Sequence, residues 1–497
     1  MATLRSSAGR ALAWSAGANL VRDVLQIATM LVLVRLLTPA DYGGFALAQA
    51  IIGAVAVLSY KTVAPFALQA RDPDTFDWHT HFAVGLALNP LALLAVAAVA
   101  AGLFAWGGTD METVALVTAV MGLTFLLDVP ATFRMTLLQA RHEWARMRLL
   151  VLAGALASSV GMILLAWLGA GVYALAAGNL LFVIPFLIDF AGAPEAERPR
   201  LSEARLSEWG EGWRFWRNRS ADGALLAGSA LAERSILARQ FGLAPLGIYT
   251  RSVGLAQITS GRVAPLAMQT LYPILTRAEA GTERFRHFAG LLMQGILIVA
   301  VPAAAFLALE AERIVAVLYG SGWAAVVPLV PLAAAWLTLK SVAEAMNTVM
   351  VANLDQARAL RLAVVATVLQ LAVIVLAAPF GPNVLLASLI AHAAVTIVLY
   401  AARAGGALDP TPLARSLAGI ALASGTGVVA TLLAHPLVAD MPMGGWHGAA
   451  ALALLAAVYG LATLLALRLF ARALLAEVVT LLPIPTRWRG AVGRIFG

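Results

Sequence analysis

Six cations and five carboxylates sit inside stretches that are otherwise apolar: Arg22, Lys61, Arg234, Arg251, Arg262 and Lys340, with Asp23, Asp128, Asp222, Glu233 and Glu344. An ionised group in such a stretch either pairs with an opposite charge or lines a path for something that crosses the membrane. Arginine keeps its proton and presents a planar fork of donors, and an intramembrane carboxylate can bind a proton or Na+. Other chemistries are absent from the pattern. The chain has no cysteine, which removes disulfides, thiolate catalysis and cysteine-bound metals. Its seven histidines form no His-x-x-x-His or Glu-x-x-His spacing, so no metal site is expected.

The elements that must hold these charges are membrane helices. Hydrophobic residues make up 61% of the 497, charged residues only 12%, and the mean hydropathy is +0.86. Soluble domains are about a quarter charged. Apolar runs of about 20 residues cross a hydrocarbon core of about 30 Å as helices, which satisfy their own backbone amides. Fourteen such spans are expected, over 11–35, 42–66, 80–106, 113–138, 148–168, 171–190, 215–239, 246–272, 287–309, 324–351, 361–380, 383–402, 413–434 and 447–470. The opening "MATLRSSAGRALAW" lacks a small-residue cleavage site, so the first span is read as retained.

The connections alternate in charge. With the N-terminus inside, the even-numbered connections and both termini carry 25 of the 34 basic residues. The odd-numbered connections hold only Arg35, Arg239 and Arg313, beside Asp41, Asp110, Glu112, Glu310, Glu312 and Asp440. This bias places both termini in the cytoplasm, and the net charge of +8 marks membrane topology rather than nucleic-acid binding.

The sequence also repeats. "RLLTPADYGGF" (35–45) returns as "RQFGLAPLGIY" (239–249): a shift of 204 residues places Arg35 on Arg239, Gly43 on Gly247 and Phe45 on Tyr249. A second match, "ARHEWAR" (140–146) on "ANLDQAR" (352–358), has a shift of 212. Both copies of each motif fall after the same span of a six-span half, so the halves are parallel repeats about an axis along the membrane normal. Within the first copy, Thr38, Pro39 and Asp41 form the pattern of an N-cap, first helical residue and capping-box partner, and Gly43–Gly44 permits close packing.

These residues carry a family resemblance. "VRLLTPADYGGFALAQAI" (34–51), "GLAPLGIYTRSVGLAQI" from 242 and the "YGSGW" turn at 319–323 resemble bacterial polysaccharide and O-antigen flippases. These belong to the multidrug/oligosaccharidyl-lipid/polysaccharide exporter superfamily. The resemblance covers about 10–405. It implies an all-α integral membrane protein with two six-helix lobes in a V around a central cavity. The lobes would occupy 1–190 and 213–405, joined by a cytoplasmic linker with a short amphipathic helix over 191–212. Spans thirteen and fourteen (406–470) and a basic amphipathic tail (471–497) would follow. It implies an inner-membrane transporter that moves a polyprenyl-diphosphate-linked saccharide to the outer leaflet by alternating access. Surface glycans such as O-antigen, lipopolysaccharide or exopolysaccharide would be the product. Membrane lipids, a polysaccharide polymerase and chain-length machinery would be its partners. The two extra spans resemble the fourteen-span flippases, those for the peptidoglycan precursor included.

On that resemblance, the diphosphate needs cations in a wet cavity, and Arg22, Lys61, Arg234, Arg251, Arg262 and Lys340 are the candidates. Arg22 lies eleven residues into its span, about 16 Å deep and near the midplane. Its neighbour Asp23 points about 100° away around the helix, so a pair between them must be bent. Lys340 has Glu344 one turn on, and an i,i+4 ion pair competes with a ligand role. Lys61 lies near the inner end of its span, where it can snorkel. For Arg234, beside Glu233, an interhelical ion pair competes. The ion-coupling candidates are Asp23, Asp128, Asp222 and Glu344, each with the alternative of balancing a nearby arginine. Coupling to H+ or to Na+ stays open, and no other cofactor is expected. A membrane glycosyltransferase would need larger extramembrane loops. A drug/cation antiporter would favour acidic over basic cavity residues.

Overall fold

A computed structural model describes residues 21–70, 72–106, 108–261, 263–279, 281–353, 356–403 and 410–481. Every regular element among them is helical. In chain order these are α1 (21–36), α2 (Pro39–Ala56), α3 (Tyr60–Val63), α4 (Trp78–Trp106), α5 (Gly108–Gly122), α6 (Thr124–Ala140), α7 (Trp144–Trp167), α8 (Val172–Ala191) and α9 (Gly210–Phe241). They continue with α10 (Leu243–Ser260), α11 (Val263–Leu275), α12 (Glu283–Leu309), α13 (Ala311–Leu318), α14 (Leu329–Ala352), α15 (Gln356–Ala377), α16 (Pro382–Arg403), α17 (Pro410–Ala434), α18 (Gly445–Phe470) and α19 (Arg472–Leu481).

Among the described residues ten helices are long and apolar enough to cross a membrane, or eleven if the pair Pro39–Ala56 and Tyr60–Gln69, bent by 57°, is one span. The protein is a multi-pass membrane protein. The first expected span, 11–35, lies partly outside the described residues, and the others that fail this test are charged or broken. The seventh is α9, which carries Arg214, Arg217, Arg219, Asp222, Glu233, Arg234 and Arg239. The eighth is split into α10 and α11. A helix of α9's length spans the bilayer by geometry, but its polar groups need partners other than lipid.

The chain divides into two compact units, Met1–Gly247 and Ile248–Gly497. In the first, α7 packs on α8, α4 on α5, and α2 on both α5 and α9. The capping box at its start forms as the sequence reads. Asp41 Oδ2 accepts from the Thr38 amide at 2.8 Å, and Thr38 Oγ1 accepts from the Asp41 amide at 3.3 Å. An aromatic core closes one end of this unit, where Phe66, Phe76, Trp78, His81, Phe133 and Trp209 meet ring to ring.

The linker differs from the expected amphipathic helix. It runs as three short 3-10 turns, Glu195–Glu197, Leu201–Glu203 and Leu206–Glu208. Its frequent Pro and Ser residues give the backbone alternatives to the α-helix. It is fastened to the start of α4, where the Arg200 amide donates to His79 Nδ1 at 2.9 Å and the Arg205 amide to Thr80 Oγ1 at 2.6 Å.

In the second unit α14 packs on α16 and α12, and α17 pairs with α18 and rests on α12. One continuous apolar core joins α11, α12, α14, α17, α18 and α19. The expected tail begins as α19, where Leu474 and Leu475 enter this core and Glu477 Oε1 lies 2.6 Å from His287 Nε2. Residues 482–497 fall outside the described part.

Candidate substrate-binding site

The contacts join the candidate residues two by two. Lys61 Nζ lies 2.8 Å from Asp128 Oδ2, with the carboxylate side chain 2% exposed and the lysine 50% exposed. The fold places Lys61 there through the break after α2. Chain direction changes at 57–59, which leaves the Tyr60 amide without a helical acceptor. Asn89 Oδ1 takes that amide at 2.8 Å, while Asn89 Nδ2 donates to the Phe125 carbonyl at 2.7 Å. Ser59 Oγ and Thr62 Oγ1 both donate to the Ala56 carbonyl, at 2.7 and 3.1 Å. A single buried amide on α4 thus ties the break to α6, the helix that carries Asp128.

Arg22 and Asp23 do pair, at 3.2 Å between Nη2 and Oδ1. The 100° offset between neighbours is bridged because the arginine side chain is long enough to fold back around the helix. Arg234 donates from Nη1 to the Ala46 carbonyl at 3.1 Å, so part of its fork ties α9 to α2. Asp222 lies on α9, and its side chain falls outside the described part, as does Arg262 altogether.

In the second unit Lys340 Nζ sits 4.0 Å from Glu344 Oε1 and 5.4 Å from the centroid of the Trp336 ring. Both charged side chains are about half exposed, so screening keeps this i,i+4 pair weak. The Arg251 carbonyl accepts from the Tyr319 hydroxyl at 3.4 Å. Burial pushes the Tyr319 hydroxyl up from its ordinary range, and the Arg251 charge opposes that shift.

Two charge clusters were not singled out by sequence reasoning. Arg134, counted among the basic residues of a connection, is 1% exposed and grips both Asp189 and Glu197. Arg141 Nη1 reaches Glu197 Oε1 at 2.7 Å, and Arg146 Nη2 reaches Asp189 Oδ1 at 2.7 Å. The signal available was that Arg134 falls inside the expected fourth span. In the second unit Glu310, 4% exposed, lies 2.6 Å from His435 and 3.7 Å from Arg313. That contact holds the turn after α12 to the end of α17.

The second unit also has a cavity of about 430 Å³ between α11 and α14. Its walls include Gln269, Tyr272 and Pro273 on one side, Asn347 and Thr348 on the other.

Residues 32–328 match the model of the family described as polysaccharide biosynthesis protein. The chain belongs to that family. Comparison with curated proteins finds no match. Among solved structures, the fold of this chain is similar to a lipid II flippase, MurJ, in an inward closed conformation. The TM-score is 0.71 at 10% identity, over 92% of this chain and 99% of that one. It is also similar to an inward-facing multidrug resistance MATE family transporter of the MOP superfamily, with TM-score 0.58 and 14% identity, over 78% and 95% of the two chains. At these identities the likeness is one of fold alone.

Proposed function

We propose that this protein is a flippase for a polyprenyl-diphosphate-linked oligosaccharide. It carries the saccharide from the cytoplasmic to the outer leaflet of the bacterial inner membrane by alternating access, with both termini cytoplasmic. The product feeds assembly of a surface polysaccharide, O-antigen or exopolysaccharide. The observation that carries the reading is the family match over 32–328, a range that includes the candidate cations Lys61, Arg234, Arg251 and Arg262.

The Lys61–Asp128 pair gives the reading a mechanism. A diphosphate brings more negative charge than a carboxylate and offers more acceptor oxygens, so it competes for the half-exposed Lys61 head. Asp128 then loses its counter-ion in an apolar surround, where an uncompensated charge is costly. Binding of H+ or Na+ at Asp128 relieves that cost and links substrate loading to a cation. Arg22 in the first unit and Lys340 in the second are each a further candidate for the diphosphate, in competition with Asp23 and Glu344. Arg234, Arg251 and Arg262 remain further candidates.

Deletion of the gene is expected to trap lipid-linked repeat units on the inner leaflet and to strip the surface glycan. An unchanged glycan with lowered dye or drug efflux would favour a drug antiporter instead. The likeness of fold to a lipid II flippase over 92% of the chain supports a second reading, transport of the peptidoglycan precursor. In that case depletion would cause lysis and accumulation of that precursor, and the protein would rescue cells depleted of their own flippase.

A further inference from the structure

The cavity between α11 and α14 sets a few uncharged polar groups among the apolar side chains of Met268, Pro273 and Val351. None of the residues that line it is charged. Gln269 and Asn347 carry amides, which both donate and accept, and Tyr272 and Thr348 carry hydroxyls. The volume of about 430 Å³ falls within the range of small-molecule sites.

Two details point to a missing hydrogen-bond donor. Asn347 Oδ1 is buried and has no hydrogen-bond partner among the described residues. An unpaired buried acceptor is costly, and ligand sites are where such a group finds its partner. Pro273, inside α11, has no N–H for the carbonyl of Gln269 one turn earlier, so the same wall releases a second acceptor. Thr348 is already engaged, with its hydroxyl donating to the Glu344 carbonyl at 3.0 Å. The Tyr272 ring is 37% exposed and supplies a flat apolar face beside these polar groups.

A diphosphate at this wall would meet no cation, and a lipid tail would leave the amides unsatisfied. A sugar ring satisfies both halves of the wall: its C–H face packs on an aromatic ring, and its hydroxyls donate to amide and carbonyl oxygens. Lys340 lies on the same helix two turns before Asn347, about 10 Å along α14, and i+4 and i+7 positions share a face.

We infer that the α11–α14 cavity is a saccharide subsite, with Asn347 and Gln269 bonding to sugar hydroxyls and Tyr272 stacking on a ring. This rests on the flippase reading above and adds where the glycan, as distinct from the diphosphate, is recognised.

The test is native mass spectrometry of the full-length protein in detergent. It is incubated with polyprenyl-diphosphate glycans extracted from the host's own inner membrane, and separately with polyprenyl diphosphate carrying no sugar. Asn347→Leu and Tyr272→Ala are expected to lower occupancy by the glycan-bearing lipid about tenfold while leaving the bare diphosphate bound as in the wild type. Tyr272→Phe, which keeps the ring, is expected to retain most of the glycan binding and controls for folding. Variants that hold both lipids as the wild type does, or lose both together, would overturn the subsite. A wild-type protein that retains neither lipid would overturn the flippase reading and this inference with it. A wild-type protein that binds the two lipids with equal affinity would overturn the subsite alone.

Discussion

Gly43 and Gly247, 204 residues apart, lie against each other's helices in a reciprocal contact. A Cβ on Gly43 would stand 1.8 Å from the Leu243 carbonyl oxygen, and a Cβ on Gly247 would stand 1.8 Å from that of Pro39. The same shift that pairs the two glycines in the repeat pairs Pro39 with Leu243. The contact therefore has the two-fold character of the duplication, and the first turns of α2 and α10 cross backbone to backbone.

Gly43→Ala and Gly247→Ala are each expected to destabilise the protein by about 1–3 kcal/mol, the range for overpacking. The obstructing atom is a backbone carbonyl, which cannot swing aside as a side chain would. Gly53, on α2 with nothing within 4 Å of its would-be Cβ, is the control. Gly53→Ala should match or exceed wild-type stability, since alanine is the better helix former. Thermal unfolding in detergent reads the order, and a Gly43→Ala protein melting with the wild type would contradict the close crossing.

The Lys61–Asp128 pair is asymmetric in exposure, so its two single variants should differ. Lys61→Met strands a buried carboxylate and is expected to cost up to about 3 kcal/mol, the low end of the range for breaking a buried pair. Asp128→Asn leaves a lysine that already reaches water and should cost about 1 kcal/mol or less. Equal losses in a denaturant series would show that the carboxylate is not the dependent partner. In a reconstituted flipping assay, Asp128→Asn should bind substrate yet lose its dependence on the cation gradient.

Arg134→Met removes the guanidinium that holds Glu197 and Asp189. Lysine is no substitute, because a point charge cannot fork to two carboxylates. Without that grip the 3-10 turns of the linker should loosen, and trypsin should cut after Arg200 or Arg205 at least tenfold faster than in the wild type. An unchanged cleavage rate would assign the linker's order to its contacts with His79 and Thr80 instead.

Thr38→Ala breaks one half of the capping box and should lower stability by about 1 kcal/mol, the usual cost of a lost N-cap. Thr38→Ser should keep it. The effect is local, so hydrogen exchange should rise in the first turn of α2 and not in α6 or α8. Faster exchange throughout the first unit would mean that the cap also secures the crossing at Gly43.

The amino-acid sequence by itself determined what depends on near neighbours along the chain. The apolar runs give helices because lipid offers no other partner for the backbone. The Thr38–Pro39–Asp41 cap could be read because its partners are three residues apart. The i,i+4 spacing of Lys340 and Glu344 likewise anticipated their contact. The second expected span, drawn as a plain helix, breaks at 57–59, where a tertiary partner, Asn89, takes up the freed Tyr60 amide. What the tertiary structure alone decided is which distant groups share a partner. Lys61 finds Asp128, Arg134 is sealed between Asp189 and Glu197, and Gly43 meets Gly247 as a neighbour, having been only its counterpart in the repeat. Each depends on helix crossings, which are set by the packing of whole faces, and no local spacing encodes which faces meet.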